Sequence, residues 1–350
     1  MGKEKTSMKL WGKSIQVAAT YIGTVVGAGF ASGQEILAFF TAYGHAGTIG
    51  ILLATSLFVW LGYKMMLIAH HLRTPSYESF NQKLFGPMIG RTMNILVFLT
   101  LFGVTTVMLA GAGSVLEEQF DIPYLVGTIA TVLFALLILR KGLEQLLVVN
   151  AIVVPSMLLF ALLILLDGTA ESPMPLSAPS DYSFLWKTIL YVSFNLAMAQ
   201  SVLIPIGYAI RDKVVLFRAA VIGGVVLGFM LLVVHTAMLA NWDDVRLMNI
   251  PILFVTDQWN EWLQLFFVFV LYSEIFTTLI SNVFGIGQQL RELLDVPESR
   301  LYLYLFSTSF VLCLIGYSQL LMFLYPLFGY LGLSTLCRIS VPGTIPKHRF

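Results

Sequence analysis

Charge is the scarcest property of this chain: Asp, Glu, Lys and Arg make up 11% of its 350 residues, where an ordinary soluble domain carries roughly a quarter. That scarcity excludes a water-soluble enzyme of the usual kind. The 20 basic and 19 acidic residues nearly cancel, to a formal net charge of +1, so there is no basic field to hold nucleic acid and no acidic block of the disordered type. Cysteine is also nearly absent. Cys313 and Cys337 both lie in apolar runs, and no Cys/His spacing suggests a metal centre or a disulfide framework. What fills the chain instead is hydrophobic sequence, 58% of it, with 13% aromatic residues.

The hydrophobic residues are gathered into runs of membrane-spanning length. A hydrocarbon core about 30 Å thick needs around 20 mainly apolar residues per helix, and ten such stretches are expected, at 14–41, 47–68, 92–115, 123–139, 145–166, 184–209, 214–240, 260–289, 301–316 and 319–337. The basic residues test that count, because Lys and Arg stay on the cytoplasmic side. With both termini inside, 18 of the 20 fall in cytoplasmic segments and only Lys187 and Arg246 fall outside. The run after Lys13 is longer than the apolar core of a cleavable signal peptide, and its removal would invert the remaining topology, so it reads as a first span. The polar stretches 70–91, 167–183 and 241–259 are too short for a second domain and suit interfacial loops or short surface helices. The expectation is one all-α domain, 1–350, in the plasma (cytoplasmic) membrane with the lipid bilayer as its surroundings.

Sorting the acidic residues by the same topology puts 17 of the 19 at helix ends or in loops, leaving Glu35 in the first span and Glu274 near the middle of the eighth. A carboxylate at that depth costs several kcal/mol unless it faces protein or water and has a partner. Every Lys and Arg lies at a helix end or in a loop, so Glu274 has no fixed cation. Either it is neutral and bonds a facing helix, or its partner is mobile: sodium, a proton or a substrate ammonium. Glu35 has a second reading, because Ser32-Gly33-Gln34-Glu35 spells a capping box, in which serine and glutamate satisfy the free N–H groups of a new helix.

A cap inside a span implies that one helix stops and another starts. Gly23, Gly27, Gly29 and Gly33 crowd the stretch just before it, and each interior glycine costs a helix roughly 1 kcal/mol against alanine. The bland alternative is close helix packing through small-xxx-small pairs such as Gly23 and Gly27. If the first span breaks between Gly27 and Ser32, its freed carbonyls can coordinate a cation and its N–H groups can attract a carboxylate. Two halves of five spans, 14–166 and 184–337, would have opposite orientations and make the sixth span the counterpart of the first. That span carries Asn195, Gln200, Pro205 and Gly207, consistent with a second break, and paired interruptions point to a transporter binding site. The eighth span sets Glu274, Thr277, Thr278 and Ser281 on one helical face. These oxygens either bond their own helix or form a site for a hard cation.

This arrangement resembles the LeuT-like fold of the amino acid–polyamine–cation superfamily, and the whole chain looks like its YkvI-type branch of bacterial membrane proteins. The most specific stretch is Gly23-Thr-Val-Val-Gly-Ala-Gly29, which is similar to the glycine-rich break in the first helix of sodium-coupled members. The resemblance implies two inverted five-helix repeats with helices 1 and 6 broken at mid-membrane. It also implies one sodium site, from the carbonyls of Gly23, Val26 and Glu274 with the hydroxyls of Thr277 and Thr278. Phe30 stands where members with a second sodium site carry an amide, so at most one sodium is expected. Thr24 and the backbone of Gly27, Ala28 and Gly29 would face a substrate carboxylate, with the substrate amine against the sixth helix at Phe194, Asn195 and Met198.

The function expected is a secondary transporter of a small amino acid or related amine, coupled to one sodium ion or to protons, with Glu35 in a gating or proton-linked role and no cofactor beyond the coupling ion. A membrane sensor that keeps the pocket and moves nothing is the alternative. An enzyme is disfavoured because no nucleophile with a positioned base, metal cluster or nucleotide motif accompanies the two acids, and lone His235 in the seventh span reads as a packing residue. A channel is disfavoured because no filter or ring of charge is recognisable.

Overall fold

The computed structural model describes residues 2–166, 182–246, 251–256, 259–314 and 332–341, and every regular element among them is helical. In chain order these are α1 (Gly2–Val25), α2 (Ala28–Ala31), α3 (Gln34–Phe39), a 3-10 turn (Thr41–Tyr43), α4 (His45–Leu72), α5 (Tyr77–Phe85), α6 (Pro87–Phe120) and α7 (Tyr124–Leu139). The second half continues with α8 (Gly142–Leu166), α9 (Ser183–Ala209), α10 (Lys213–Ala240), α11 (Trp242–Val245), α12 (Pro251–Thr256), α13 (Glu261–Leu293) and α14 (Glu298–Cys313). A last helical segment covers 332–340. Six of the described helices are long and apolar enough to cross a membrane: α4, α6, α8, α9, α10 and the Glu261–Arg291 part of α13. The apolar α7 is shorter. The expected span at 319–337 lies mostly outside the described residues, as does nearly all of the loop at 167–183.

The stretches 70–91 and 241–259 hold the short helices α5, α11 and α12. Ser76 starts α5 with a capping box closed by Ser79, and Pro87 at the first turn of α6, after Gly86 at φ 85°, begins that helix five residues earlier than its apolar run. Helix α1 lies against α8, α9, α10 and α13, while α4 packs on α9 and α10. Lipid gives helices no hydrophobic reason to associate, so close backbone approach matters. Gly224 and Gly228, one turn apart on α10, supply it: a Cβ on Gly224 would meet Val59 Cγ2 at 2.5 Å, and one on Gly228 would meet Thr55 Oγ1 at 2.0 Å, both on α4.

The first helix stops at Val25. Val26 N–H still reaches Ile22 O at 2.8 Å, but helix resumes only at Ala28 and again at Gln34. The reading of Ser32 as N-cap is corrected here: Gly33 is the N-cap of α3, at φ 82° and ψ −8°, with no side-chain cap bond. That left-handed conformation suits glycine, which has no Cβ to clash. Ser32 serves the junction differently, with its hydroxyl donating to Gly29 O at 3.2 Å and accepting from Gln34 N–H at 3.4 Å.

The sixth helix departs from expectation more completely. Helix α9 runs unbroken from Ser183 to Ala209 with Pro205 inside it. The amides that suggested a break bond their own helix instead, Asn195 Nδ2 to Tyr191 O at 3.0 Å and Gln200 Nε2 to Ala197 O at 2.9 Å. Pro205 lies four residues from the helix end, where its missing N–H deprives only the Ser201 carbonyl. Gly207 answers to packing, since a Cβ there would sit 2.3 Å from the backbone oxygen of Met66 on α4.

Candidate functional site

The oxygen-rich face of α13 meets α1 where α1 stops. Glu274, Thr277, Thr278 and Ser281 are all buried, as expected for polar groups one or two turns apart on a single helical face. Thr278 Oγ1 lies 2.6 Å from Val26 O and 3.4 Å from Gly23 O. Its hydroxyl proton therefore serves carbonyls that the interrupted helix leaves without a ladder donor. The adjacent Thr277 Oγ1 donates one turn back along the same helix, to Glu274 O at 3.1 Å. One turn later, Thr24 Oγ1 donates to Thr20 O at 2.7 Å and lies 3.5 Å from Ser281 Oγ. Thr278 thus links the Gly23 and Val26 carbonyls of α1 to α13, and the neighbouring Thr277 hydroxyl is bonded within α13 to Glu274 O.

The glycines allow this approach. A Cβ on Gly27 would lie 3.2 Å from Thr278 Oγ1, and one on Gly29 would lie 2.2 Å from Glu35 Oε1. Gly23 faces α8: a Cβ there would fall 1.8 Å from Asn150 Oδ1 and 3.6 Å from Thr277 Oγ1. The donor set is hard, neutral oxygen in a buried position, which suits an alkali or alkaline-earth cation rather than a soft metal. Among the described residues there is no group of three or more His, Cys, Asp or Glu that would hold a metal ion in the other manner.

Glu274 turns two faces to its surroundings. Its carbonyl accepts from Thr277, and the residue lines a cavity of about 10 Å³ with Phe30, Phe160, Met230 and Ile252 among others. That is about the space of one water molecule. Glu274 Oε2 has no hydrogen-bond partner among the described residues. The two ion pairs described there, Arg246–Asp243 and Arg291–Glu298, do not involve it. Glu35 is buried in the first turn of α3 with its carboxyl against Gly29. Helix α12 meets this junction, where Ile252 N–H donates to Ser32 O at 3.2 Å.

Phe194, Asn195 and Met198 are buried on α9, which packs on α1 and α13. Their carbonyls belong to a continuous helix, so backbone recognition of an amine by this segment is not supported by the geometry. His235 is held at both ring nitrogens, 3.0 Å from Thr41 Oγ1 and 3.1 Å from Thr48 Oγ1, and so ties α10 to α4 and to the 3-10 turn. Asn150 escaped the sequence reading. Its signal was an amide in the apolar run Val148-Val149-Asn150-Ala151, the same kind of signal that drew attention to Asn195.

Comparison with solved structures shows that the fold is LeuT-like. A substrate-bound, outward-open sodium-coupled sialic acid symporter matches with a TM-score of 0.67 at 11% identity, over 95% of this chain and 79% of that one. The Eremococcus coleocola manganese transporter matches at 0.63 and 12% identity, over 95% and 77% of the two chains. A nucleobase-cation-symport-1 family transporter in a closed conformation matches at 0.58 and 10%, over 93% and 77%. No family model matches the sequence. The chain belongs to the YkvI family of membrane proteins: it is 34% identical to YkvI of Bacillus subtilis (strain 168) over 327 residues, 92% of this chain and 94% of that protein. It is also 26% identical to YyaD of the same organism, over 95% and 98% of the two chains.

Proposed function

We propose that this chain is a secondary transporter that carries a small amino acid or related amine across the membrane by alternating access, coupled to one sodium ion or to protons. The observation that carries the reading is the Thr278 hydroxyl on the carbonyls of Val26 and Gly23. It joins the interrupted first helix to α13 through oxygens alone. In this reading ten spans form two inverted five-helix halves with both termini cytoplasmic. A cation at Gly23, Val26, Glu274, Thr277 and Thr278 replaces hydroxyl protons as the link between the two helices. Because it contacts both, its binding favours the conformation in which they meet.

Thr24 and the backbone of Gly27, Ala28 and Gly29 then face the substrate carboxylate, with the freed N–H groups as donors. The unbroken α9 contributes the side chains of Phe194, Asn195 and Met198 to the opposite wall rather than its carbonyls. The Glu274 carboxyl, beside its small cavity, takes the substrate ammonium or a proton, and Glu35 at the restart of the helix gates the pocket or relays that proton. The chemistry is displacement and binding, with no covalent step and no role as an enzyme.

The test is uptake into proteoliposomes of a panel of amino acids and amines, driven by a sodium gradient or by a pH gradient. Sodium-driven uptake that is lost in a Thr277→Ala, Thr278→Ala double variant supports the sodium assignment. If uptake follows pH instead, Glu274→Gln is expected to abolish it while leaving exchange intact. Ligand binding without flux under either gradient would replace transport with a sensor.

A further inference from the structure

We infer that Asn150 supplies its side-chain carbonyl oxygen as a further ligand to the coupling cation, bringing α8 into a site otherwise built from α1 and α13. The inference rests on the cation-site reading above and adds a residue to it. Asn150 is 0% exposed, and its Nδ2 donates to Leu146 O at 2.9 Å. That bond fixes the amide, because exchanging oxygen and nitrogen would set two acceptors against each other. Oδ1 is thereby aimed at the Cα face of Gly23, whose added Cβ would lie 1.8 Å from it and 3.6 Å from Thr277 Oγ1.

That oxygen has no hydrogen-bond partner among the described residues. The threonine hydroxyls of α13 donate elsewhere, Thr277 to Glu274 O and Thr278 to Val26 O. A buried acceptor left unpaired costs stability, and a purely structural residue at this position gains nothing from it. A cation among the neighbouring oxygens removes the cost, since an amide oxygen is a hard, neutral ligand of the same kind as the backbone carbonyls. Gly23 is the residue that makes room, because any side chain there would cover Oδ1. Helix α8 packs on both α1 and α13, so a cation held by all three would couple the position of α8 to the α1–α13 contact.

The experiment is a sodium titration followed by thermal stability of the purified full-length protein, with choline as the balancing ion, for wild type, Asn150→Ala, Asn150→Asp and Thr278→Ala. Asn150→Ala is expected to melt no lower than wild type in choline, since the unpaired oxygen is gone, and to bind sodium about tenfold more weakly, the loss of one contact to a charge. Asn150→Asp keeps an oxygen towards Gly23 but sets a second one against Leu146 O, so it is expected to melt lower than wild type in choline and to regain stability with sodium at alkaline pH. Wild-type sodium affinity in Asn150→Ala, with Thr278→Ala impaired, overturns the role of Asn150 and leaves the cation site standing. An Asn150→Ala variant that is destabilised equally in choline and sodium marks a structural residue and also overturns it. If Asn150→Ala does not fold, Asn150→Asp decides, and loss of its sodium response overturns the inference. No sodium response in wild type removes the cation site itself, and Asn150 with it.

Discussion

Helices α1 and α9 carry comparable helix-breaking sequence and respond in opposite ways. Four glycines between Gly23 and Gly33 accompany an interruption after Val25, whereas Asn195, Gln200, Pro205 and Gly207 leave α9 continuous from Ser183 to Ala209. The difference lies in where the freed or competing polar groups find partners. Glycine has no side chain to return a hydrogen bond, so the Gly23 and Val26 carbonyls are served by Thr278 from another helix. The amides of α9 return theirs to Tyr191 and Ala197 of the same helix. An interruption is tolerated in lipid only where surrounding protein satisfies the backbone, and α13 provides that service to α1.

The contrast can be broken at its firmest point first. Gly207→Leu would drive a side chain into the backbone of Met66, which cannot turn aside; a loss of about 3 kcal/mol is expected, equal in sodium and choline, read as a lowered melting temperature in both. Thr278→Val keeps the shape and removes the donor from two buried carbonyls, so a loss of about 1–2 kcal/mol is expected together with loss of the sodium-induced shift. Gly23→Ala meets the Asn150 amide rather than backbone, and turning that amide aside breaks its bond to Leu146 O. A cost of about 1 kcal/mol in choline is expected, while its sodium titration shifts to higher concentration. Pro205→Ala should be the mildest, returning an N–H to the Ser201 carbonyl and changing stability by no more than about 0.5 kcal/mol. A large sodium-specific effect of Pro205→Ala would put a second functional interruption in α9.

Much of the site was legible because it is periodic or compositional. The 3.6-residue repeat was enough to put Glu274, Thr277, Thr278 and Ser281 on one face, and the density of glycine marked the end of α1. The identity of the particular carbonyls came from the resemblance of Gly23 to Gly29 to a known helix break, not from spacing. What escaped depends on tertiary partners. Nothing local distinguishes Asn150 from Asn195, since the nitrogen of each bonds a carbonyl four residues back in its own helix; what sets Asn150 apart is the tertiary neighbour Gly23 against its oxygen. Nor does Ser32-Gly33-Gln34-Glu35 reveal that Gly33 is the residue that takes the left-handed turn, or that Ile252, more than 200 positions away in the sequence, donates to Ser32 O.

The most direct test of the α1–α13 oxygen cluster is equilibrium binding of radiolabelled sodium to the purified protein, compared between wild type and Thr278→Val. Saturable binding of one sodium per chain is expected in wild type, and its loss in the variant. Saturable binding that survives Thr278→Val unchanged, or no saturable binding in wild type, would contradict it.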